Sequence, residues 1–260
     1  MIIKAKKSLG QNFLINRDIL EKIVNIIDIT DKEILEIGPG SGNLTTYILK
    51  KNPKKFYVIE KDNDLSLLLK EKFNNEISII NDDVLKINEN NISDKKLIVF
   101  GNLPYNISTE ILSKWIVNLD DNFWFENLVL MFQKEVADRI IAEPNTSKYG
   151  RLSILSNWKL KVEKILDIKP ESFSPRPKVD SSLLLFTPRE KFFEIKKPQN
   201  LEMITRVFFS QRRKMLKKPF KQLFKDPKKI SEKININLNL RPQNLEPEIY
   251  FKLVREYEKL

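Results

Sequence analysis

The feature of this sequence that most restricts its fold is a regular alternation of short apolar runs with amphipathic stretches. LTTYILKK, DLSLLLKEKF and STEILSKWIV, which lie between apolar runs, have helical spacing. Because this alternation is typical of strand-helix units around a parallel sheet, the sequence predicts an α/β fold. The predicted strands are EILEI (33–37), KFYVI (55–59), ISII (77–80), KLIVF (96–100), NLVLMF (127–132), KILDI (164–168) and SSLLLF (181–186).

The last two predicted strands, 164–168 and 181–186, are joined by the Pro-rich stretch KPESFSPRPK, which has no helical pattern. Such a connection suits antiparallel strands, whereas parallel neighbours usually need a helical crossover. The sequence therefore predicts an antiparallel hairpin with a long loop, which closes one edge of an otherwise parallel sheet.

A domain boundary is predicted near residues 187–200, where periodicity is lost and Pro and charged residues accumulate. Every later segment has helical spacing, and Pro219 is expected to break or kink one of these helices. The prediction is a sheet-containing domain at residues 1–189 and a small all-helical domain at residues 190–260.

Positive charge is concentrated in the second predicted domain. Residues 190–260 contain 18 Lys and Arg against 9 Asp and Glu, whereas residues 1–189 contain 28 against 26. This asymmetry indicates that the helical part holds a polyanion, most simply nucleic acid, while the other part works on it. A Lys-rich composition that only decorates an ordinary surface is the alternative explanation.

The residue inventory excludes several kinds of chemistry. The chain has no Cys and no His, so thiolate nucleophiles, imidazole bases and the usual zinc sites are ruled out, and no metal is expected. No segment approaches the roughly 18 apolar residues of a membrane span, and no apolar signal segment follows the N-terminal lysines. A cytoplasmic protein with no membrane partner is therefore expected.

Polar groups follow three successive predicted strands. Gly38, Gly40 and Gly42 follow the first strand and allow the backbone to turn sharply and approach a ligand. Glu60 ends the second strand, where a carboxylate can accept hydrogen bonds from ribose hydroxyls, and Asp83 follows the third, where an acid can accept from an adenine amino group. Each feature alone is weak, but together they predict a crevice shaped for adenosine.

The fourth strand ends in the turn Gly101-Asn102-Leu103-Pro104-Tyr105. We expect the rigid Pro to hold the Asn102 amide and the Leu103 carbonyl toward one small space, where both can accept from an exocyclic amino group. Tyr105 can then stack on the ring that carries this amino group. The structural alternative is a turn that only caps the following helix.

These residues, taken with several other motifs in the same order along the chain, resemble one enzyme family. The chain is similar to the ribosomal RNA adenine N6,N6-dimethyltransferases, most of all to their bacterial small-subunit branch. The motifs that carry this resemblance are GQNFL (10–14), EIGPGSGNLT (36–45), VIEKD (58–62), NDDVL (81–85), FGNLPYNIST (100–109), QKEVADRI (133–140), YGRLS (149–153), FSPRPKVDSS (173–182) and FFSQRRKMLK (208–217).

The resemblance implies a class I (Rossmann-like) S-adenosylmethionine-dependent methyltransferase that dimethylates two adjacent adenosines near the 3′ end of small-subunit ribosomal RNA. It implies that Asn102, Leu103 and Tyr105 orient the target adenine, and that Phe173 supplies a second stacking face. The residues implied to line the S-adenosylmethionine site are Asn12, Leu14, Gly38, Gly40, Glu60, Asp83 and Asn102.

The expected partner is small-subunit RNA within a partly assembled 30S particle, bound by a monomeric enzyme. Basic residues near the N-terminus, in the motif YGRLS and in the second predicted domain are expected to contact its phosphates. They are Lys6, Lys7, Arg151, Arg212, Arg213, Lys214 and Lys217.

Three other functions remain to be weighed. A large-subunit RNA methyltransferase of the macrolide-resistance type shares the NLPY turn, although YGRLS, QKEVADRI and QRRKMLK favour the small-subunit branch. A non-catalytic nucleic-acid-binding relative is disfavoured because the residues expected for catalysis are all present, namely Gly38, Gly40, Glu60, Asp83 and Asn102. An NAD-dependent dehydrogenase accounts for neither the NLPY turn nor the basic C-terminal part.

Overall fold

A computed structural model describes residues 5–6, 9–119 and 122–260 of the 260-residue chain. Its contacts divide the chain into two compact units. The first comprises Met1–Lys114, Leu119–Ala137 and Glu163–Pro188, and the second comprises Trp115–Asn118, Asp138–Val162 and Arg189–Leu260. The second unit thus includes 138–162 as well as the basic C-terminal part. The division into domains at 189/190 stays a prediction about how the chain folds.

The strands in the described residues follow the predicted order closely. They are β1 (Phe13–Leu14), β2 (Glu33–Ile37), β3 (Lys55–Ile59), β4 (Ser78–Ile80), β5 (Leu97–Asn102), β6 (Phe125–Gln133), β7 (Leu160–Ile168), β8 (Phe173–Ser174) and β9 (Ser181–Pro188).

Helices connect the early strands and make up most of the C-terminal part. Within the described residues they are α1 (Arg17–Val24), α2 (Asn43–Leu49), α3 (Asn63–Phe73), α4 (Ser108–Asn118), α5 (Lys134–Ile140), α6 (Arg151–Lys159), α7 (Pro198–Phe209), α8 (Lys217–Leu223), α9 (Pro227–Lys233) and α10 (Pro247–Tyr257). Short 3₁₀ turns occur at Asn74–Glu76, Glu89–Asn91, Pro170–Ser172 and Pro242–Asn244.

Seven strands form one sheet in the order β4-β3-β2-β5-β6-β9-β7. The pairs among β2, β3, β4, β5 and β6 are parallel, and β9 runs antiparallel to β6. β9 therefore inserts between the parallel strands and β7, which lies at the edge. The predicted α/β fold with an antiparallel end is confirmed.

The main sheet strands are buried because helices cover them. All five residues of β2 are buried, and β5 is buried from Leu97 to Gly101. A continuous apolar strand of this kind is expected where a parallel sheet is covered on both faces. The first unit's core joins these strands to α1 and α2 through residues such as Leu20, Ile48 and Phe100.

Two local features differ from the sequence-based expectations. β5 continues past Phe100 to Asn102, because Gly101 pairs with Ile37 of β2 and Asn102 pairs with Met131 of β6. The helix that was expected to break at Pro219 ends earlier, at Phe209. Pro219 instead lies in the first turn of α8, where its missing N–H has no helical partner to lose.

One buried ammonium group joins α4 to the loop after β4. Lys114 Nζ donates to the carbonyls of Val84 (2.8 Å) and Ile87 (2.5 Å) and to Glu89 Oε1 (2.7 Å). The side chains of Lys114 and Glu89 are only 18% and 7% exposed. This pair holds the loop that carries Asp83 close to the helix that follows the NLPY turn.

Replacing Lys114 with Met should lower the free energy of unfolding by about 3 kcal/mol, because Glu89 and two carbonyls lose a buried cationic donor. The matched control is Lys32→Met, which removes an exposed pair with Glu126 (45% and 38% exposed) and should cost less than about 1 kcal/mol. Denaturant unfolding at fixed pH measures the stability of both variants. Equal losses of stability would contradict the structural role given to the Lys114–Glu89 pair.

Candidate active site

The loop after β2 requires glycine at its centre. Gly40 has a φ of 59°, in the left-handed region that favours glycine. A Cβ at this position would lie 2.7 Å from two carbons of the Phe13 ring, closer than any real contact allows. The loop therefore passes tightly beneath Phe13 before α2 begins at Asn43.

Glu60 fixes a carboxylate opposite this loop. Its Oε2 accepts from the Gly40 backbone N–H (3.1 Å), and its Oε1 accepts from the Asp62 backbone N–H (2.8 Å). Burial raises the pKa of Glu60, and these backbone donors offset part of that rise. Each carboxylate oxygen keeps a further lone pair, so the group can also accept hydrogen bonds from the hydroxyls of a ligand.

Asp83 provides a second acid, in a different electrostatic setting. Lys61 Nζ donates to Asp83 Oδ2 (2.7 Å), and the Leu85 backbone N–H donates to Oδ1 (3.0 Å). The bond from Lys61 is the main reason that the pKa of Asp83 lies below its usual value. Asp83 is therefore an ionised acceptor at neutral pH.

The side chain of Asn102 is oriented by the N-terminal segment. Its Nδ2 donates to the Asn12 carbonyl (2.7 Å), and Asn12 Nδ2 in turn donates to the Gly10 carbonyl (3.2 Å). Within the described part of the chain, no donor reaches Asn102 Oδ1 or the carbonyl of Leu103. Two acceptors of the NLPY turn are therefore left for a ligand.

Tyr105 is partly buried and its hydroxyl is fixed. The Tyr105 hydroxyl and Ser181 Oγ lie 2.6 Å apart, and Ser181 is completely buried at the start of β9. Burial raises the pKa of Tyr105, so the phenol stays protonated at neutral pH. The ring is thus held from its far end.

The segment before β1 is fastened to the loop after β3. Asp62 accepts from Gln11 Nε2 (3.0 Å) and from Lys6 Nζ (2.7 Å), and Lys6 also pairs with Asp64 (2.8 Å). Lys6, which was predicted to contact RNA, has its ammonium engaged by these two carboxylates. Lys7, the neighbouring prediction, lies outside the described residues.

One cavity in the first unit gathers nearly all the residues predicted to bind the cofactor and the target base. It is lined by Asn12, Leu14, Gly38, Gly40, Glu60, Asp83, Asn102, Leu103 and Tyr105, together with other residues of the same loops.

Phe173 stands apart from this group. It is only 3% exposed, it is absent from the described cavity lining, and it pairs with Leu14 in the short β1–β8 ladder. It packs in the hydrophobic core of the first unit. Its role as a second stacking face stays a prediction, and it requires the β8 segment to move.

Glu36 is a cavity residue that the sequence reasoning did not single out. It is 2% exposed, it lines the cavity, and it accepts from Thr45 Oγ1 (2.6 Å). Burial raises its pKa to about 8. The available signal was an acidic residue inside the apolar strand EILEI, which is unusual unless the carboxyl is satisfied or functional.

The predicted RNA-binding residues beyond the first unit are mostly exposed. Arg151 begins α6, and Arg213, Lys214 and Lys217 are exposed around the start of α8. Arg212 is half-buried, and its Nη2 donates to the Thr146 carbonyl (2.9 Å). The contact of all these residues with RNA stays a prediction.

The part of the chain that the structure describes offers neither a metal-binding cluster nor a membrane-spanning helix. In residues 5–6, 9–119 and 122–260, no group of three or more acidic, His or Cys side chains is placed to hold a metal ion. Over the same ranges, no helix has the length and hydropathy to cross a membrane.

Residues 2–259 match the family described as ribosomal RNA adenine dimethylase. A protein from Pelagibacter ubique named ribosomal RNA small subunit methyltransferase A is 76% identical, with 100% of this chain and 99% of that protein covered. A protein of the same name from Wolbachia sp. subsp. Drosophila simulans (strain wRi) is 40% identical over 100% of this chain and 96% of its own length.

Solved structures agree on the fold. A dimethyladenosine transferase from Plasmodium falciparum superposes with a TM-score of 0.81 and 29% identity, over 95% of this chain and 97% of that one. The 23S rRNA methyltransferase ErmE superposes with a TM-score of 0.69 over 95% of this chain and 99% of its own, but at 20% identity it supports the fold alone.

The raised pKa of Glu36 predicts a specific pH dependence of stability. Because the folded state holds this proton up to about pH 8, its contribution is complete below the ordinary pKa of 4.5 and is lost as pH rises through 8. Between pH 5 and pH 9 the wild type should lose on the order of 3 kcal/mol relative to Glu36→Gln.

Denaturant unfolding across this pH range is the measurement, with Glu71→Gln as the matched control at an exposed glutamate. The control should keep the wild-type pH profile. Identical profiles for Glu36→Gln and the wild type would contradict a buried, protonated Glu36.

Proposed function

The chain belongs to the ribosomal RNA adenine dimethylase family, and from this membership we propose that it dimethylates the N6 amino groups of two adjacent adenosines near the 3′ end of small-subunit ribosomal RNA. The methyl donor is S-adenosylmethionine. The observation that carries the proposal is the Asn102 amide, whose N–H is bound by Asn12 so that its oxygen is left for the target amino group.

The described cavity fits the methyl donor. Glu60 faces the glycine loop with its carboxylate fixed by two backbone N–H groups, which suits acceptance from both hydroxyls of a ribose. Asp83 is an ionised acceptor at the end of the next strand, which suits an adenine amino group. At Gly40 the backbone passes so close to the Phe13 ring, which also lines the cavity, that a Cβ would displace the ring.

The target adenine enters at the NLPY turn. Asn102 Oδ1 and the Leu103 carbonyl accept the two N6 hydrogens, which aims the nitrogen lone pair away from them. Tyr105 stacks on the ring, and each such stacking contact is worth roughly 1 to 3 kcal/mol. We further propose that Phe173 closes the opposite face once β8 has shifted.

The reaction needs alignment more than acid or base catalysis. S-adenosylmethionine supplies a methyl group on a sulfonium, which is electrophilic without further activation. The chain's own residues hold the N6 nitrogen in line with that methyl group and exclude water from the line of attack. After the first transfer the cationic nitrogen loses one proton to solvent, and the product S-adenosylhomocysteine is exchanged for a second S-adenosylmethionine. One of the two acceptors then holds the remaining N–H, and this last proton leaves to solvent after the second transfer.

The RNA is proposed to bind as part of a partly assembled 30S particle, to a monomeric enzyme in the cytoplasm. An adenine must leave its stack to reach the cavity, which favours a single-stranded loop as target. The exposed Arg151, Arg213, Lys214 and Lys217 are proposed to contact phosphates. Lys6 is a weaker candidate, because Asp62 and Asp64 already neutralise it.

A large-subunit RNA methyltransferase is the second candidate, because ErmE shares the fold. The names of the Pelagibacter and Wolbachia relatives, which match nearly end to end, favour the small-subunit RNA.

Methyl transfer from labelled S-adenosylmethionine to small subunits that lack the modification tests the proposal, with large-subunit RNA assayed in parallel. We expect N6,N6-dimethyladenosine on the small subunit only. Asn102→Ala should lower the rate at least about 100-fold, because the adenine loses an oriented acceptor. The matched control is Asn127→Ala, which removes a bond to Thr187 away from the described cavity lining.

Label on the large-subunit RNA alone would establish the second candidate instead. Full activity of Asn102→Ala would contradict the role proposed for the NLPY turn in holding the target adenine.

The glycine loop generates a separate prediction about binding of the methyl donor. Gly40→Ala should weaken the affinity for S-adenosylhomocysteine more than tenfold, because the added Cβ collides with Phe13 and the φ of 59° is strained for alanine. The matched control is Gly150→Ala, whose Cβ would meet Phe209 at an ordinary 3.9 Å. Calorimetry measures the affinity of each variant. An affinity of Gly40→Ala equal to that of the wild type would show that the loop does not approach the ligand.

A further inference from the structure

We infer that Ser181 is the positioning residue for Tyr105, and that their hydrogen bond fixes the orientation of the aromatic ring on which the target base stacks. The inference rests on the proposed function, since it concerns the ring on which the target adenine stacks. Ser181 touches neither proposed substrate and acts only through Tyr105. Its hydroxyl lies 2.6 Å from the Tyr105 hydroxyl and is completely buried.

The position of Ser181 is itself fixed by the sheet. It is the first residue of β9 and pairs with Gln133 of β6, and the Lys134 backbone N–H donates to the carbonyl of Asp180 (2.9 Å). β6 in turn pairs with β5 at Asn102. The acceptor at Asn102 and the anchor of Tyr105 are therefore held by one set of strand pairings.

The neighbouring Ser182 has a different role, because successive strand residues face opposite sides. Ser182 Oγ donates to Asp167 Oδ1 (2.6 Å), a carboxylate that also pairs with Lys134 and Lys164. Asp180, which precedes Ser181 in the sequence, pairs with Lys169 (2.7 Å). These polar contacts hold the strand start, and Ser181 alone of the two serines reaches the NLPY turn.

A tyrosine that closes a pocket by stacking depends on the angle of its ring. Without a partner for its hydroxyl, the ring of Tyr105 can tilt about its side-chain torsions, since it is only partly buried. A hydroxyl bond at the far end removes that freedom and fixes the distance between the ring and the Asn102 and Leu103 acceptors. This arrangement gives a role to Ser181, the second-last residue of the segment FSPRPKVDSS, which faces the NLPY turn.

The test is a double-mutant cycle in single-turnover methyl transfer, with Ser181→Ala, Tyr105→Phe and both together. Each single variant should lower the rate about tenfold at saturating RNA and S-adenosylmethionine, and the double variant should be no slower than either single one. The KM for S-adenosylmethionine should stay within about twofold of the wild type, because the cofactor half of the cavity is untouched.

Ser182→Ala is the matched control. It should lower thermal stability through loss of the Asp167 bond, and its effect on the rate should multiply with that of Tyr105→Phe. Multiplying effects for Ser181→Ala and Tyr105→Phe would overturn the inference, as would an unchanged rate in either variant. If Ser181→Ala does not fold, Tyr105→Phe carries the test alone, because it removes only the hydroxyl.

The wild-type reaction distinguishes failure of the proposed function from failure of the role of Ser181. If the wild type transfers no methyl group to RNA, the proposed function fails and the inference fails with it. If the wild type is active and the cycle is additive, only the role of Ser181 is refuted.

Discussion

The common register of three parallel strands is the constraint on which the site depends. Ile37 of β2 pairs with Ile59 of β3 on one side and with Gly101 of β5 on the other. The residues that come next, Gly38, Glu60 and Asn102, therefore lie at the same level of the sheet's carboxyl edge. A slip of one residue in any of these pairings would turn its side chains to the opposite face and dismantle the site.

Buried polar contacts then convert this placement into a defined chemical environment. Glu60 is held by the backbone of Gly40 and Asp62, while Asp62 holds the N-terminal segment through Gln11. That segment returns to orient Asn102 through the carbonyl of Asn12. Segments far apart in sequence thus form one connected network, in which the acceptors proposed for the methyl donor and for the adenine are fixed together.

Much of the fold could be predicted from the sequence because the strands of a covered parallel sheet are continuous apolar runs. β2 and β3 coincide with EILEI and KFYVI. The two-residue strands β1 and β8 could not be predicted, since they are too short to show a period. The site was predictable where a residue ends or follows a strand, as with Asn102 and Glu60. The burial of Phe173 and the engagement of Lys6 by two acids depend on tertiary contacts that no local pattern reports.

We propose that Glu60 receives the ribose of the methyl donor at the carboxyl edge of the sheet. The most direct test is calorimetric binding of S-adenosylhomocysteine and of its 2′-deoxy analogue to the wild type and to Glu60→Gln. We expect the wild type to lose tenfold or more in affinity when the hydroxyl is removed, and Glu60→Gln to lose much less. Equal losses in the two proteins would contradict this role of Glu60, because the hydroxyl would then be bound elsewhere.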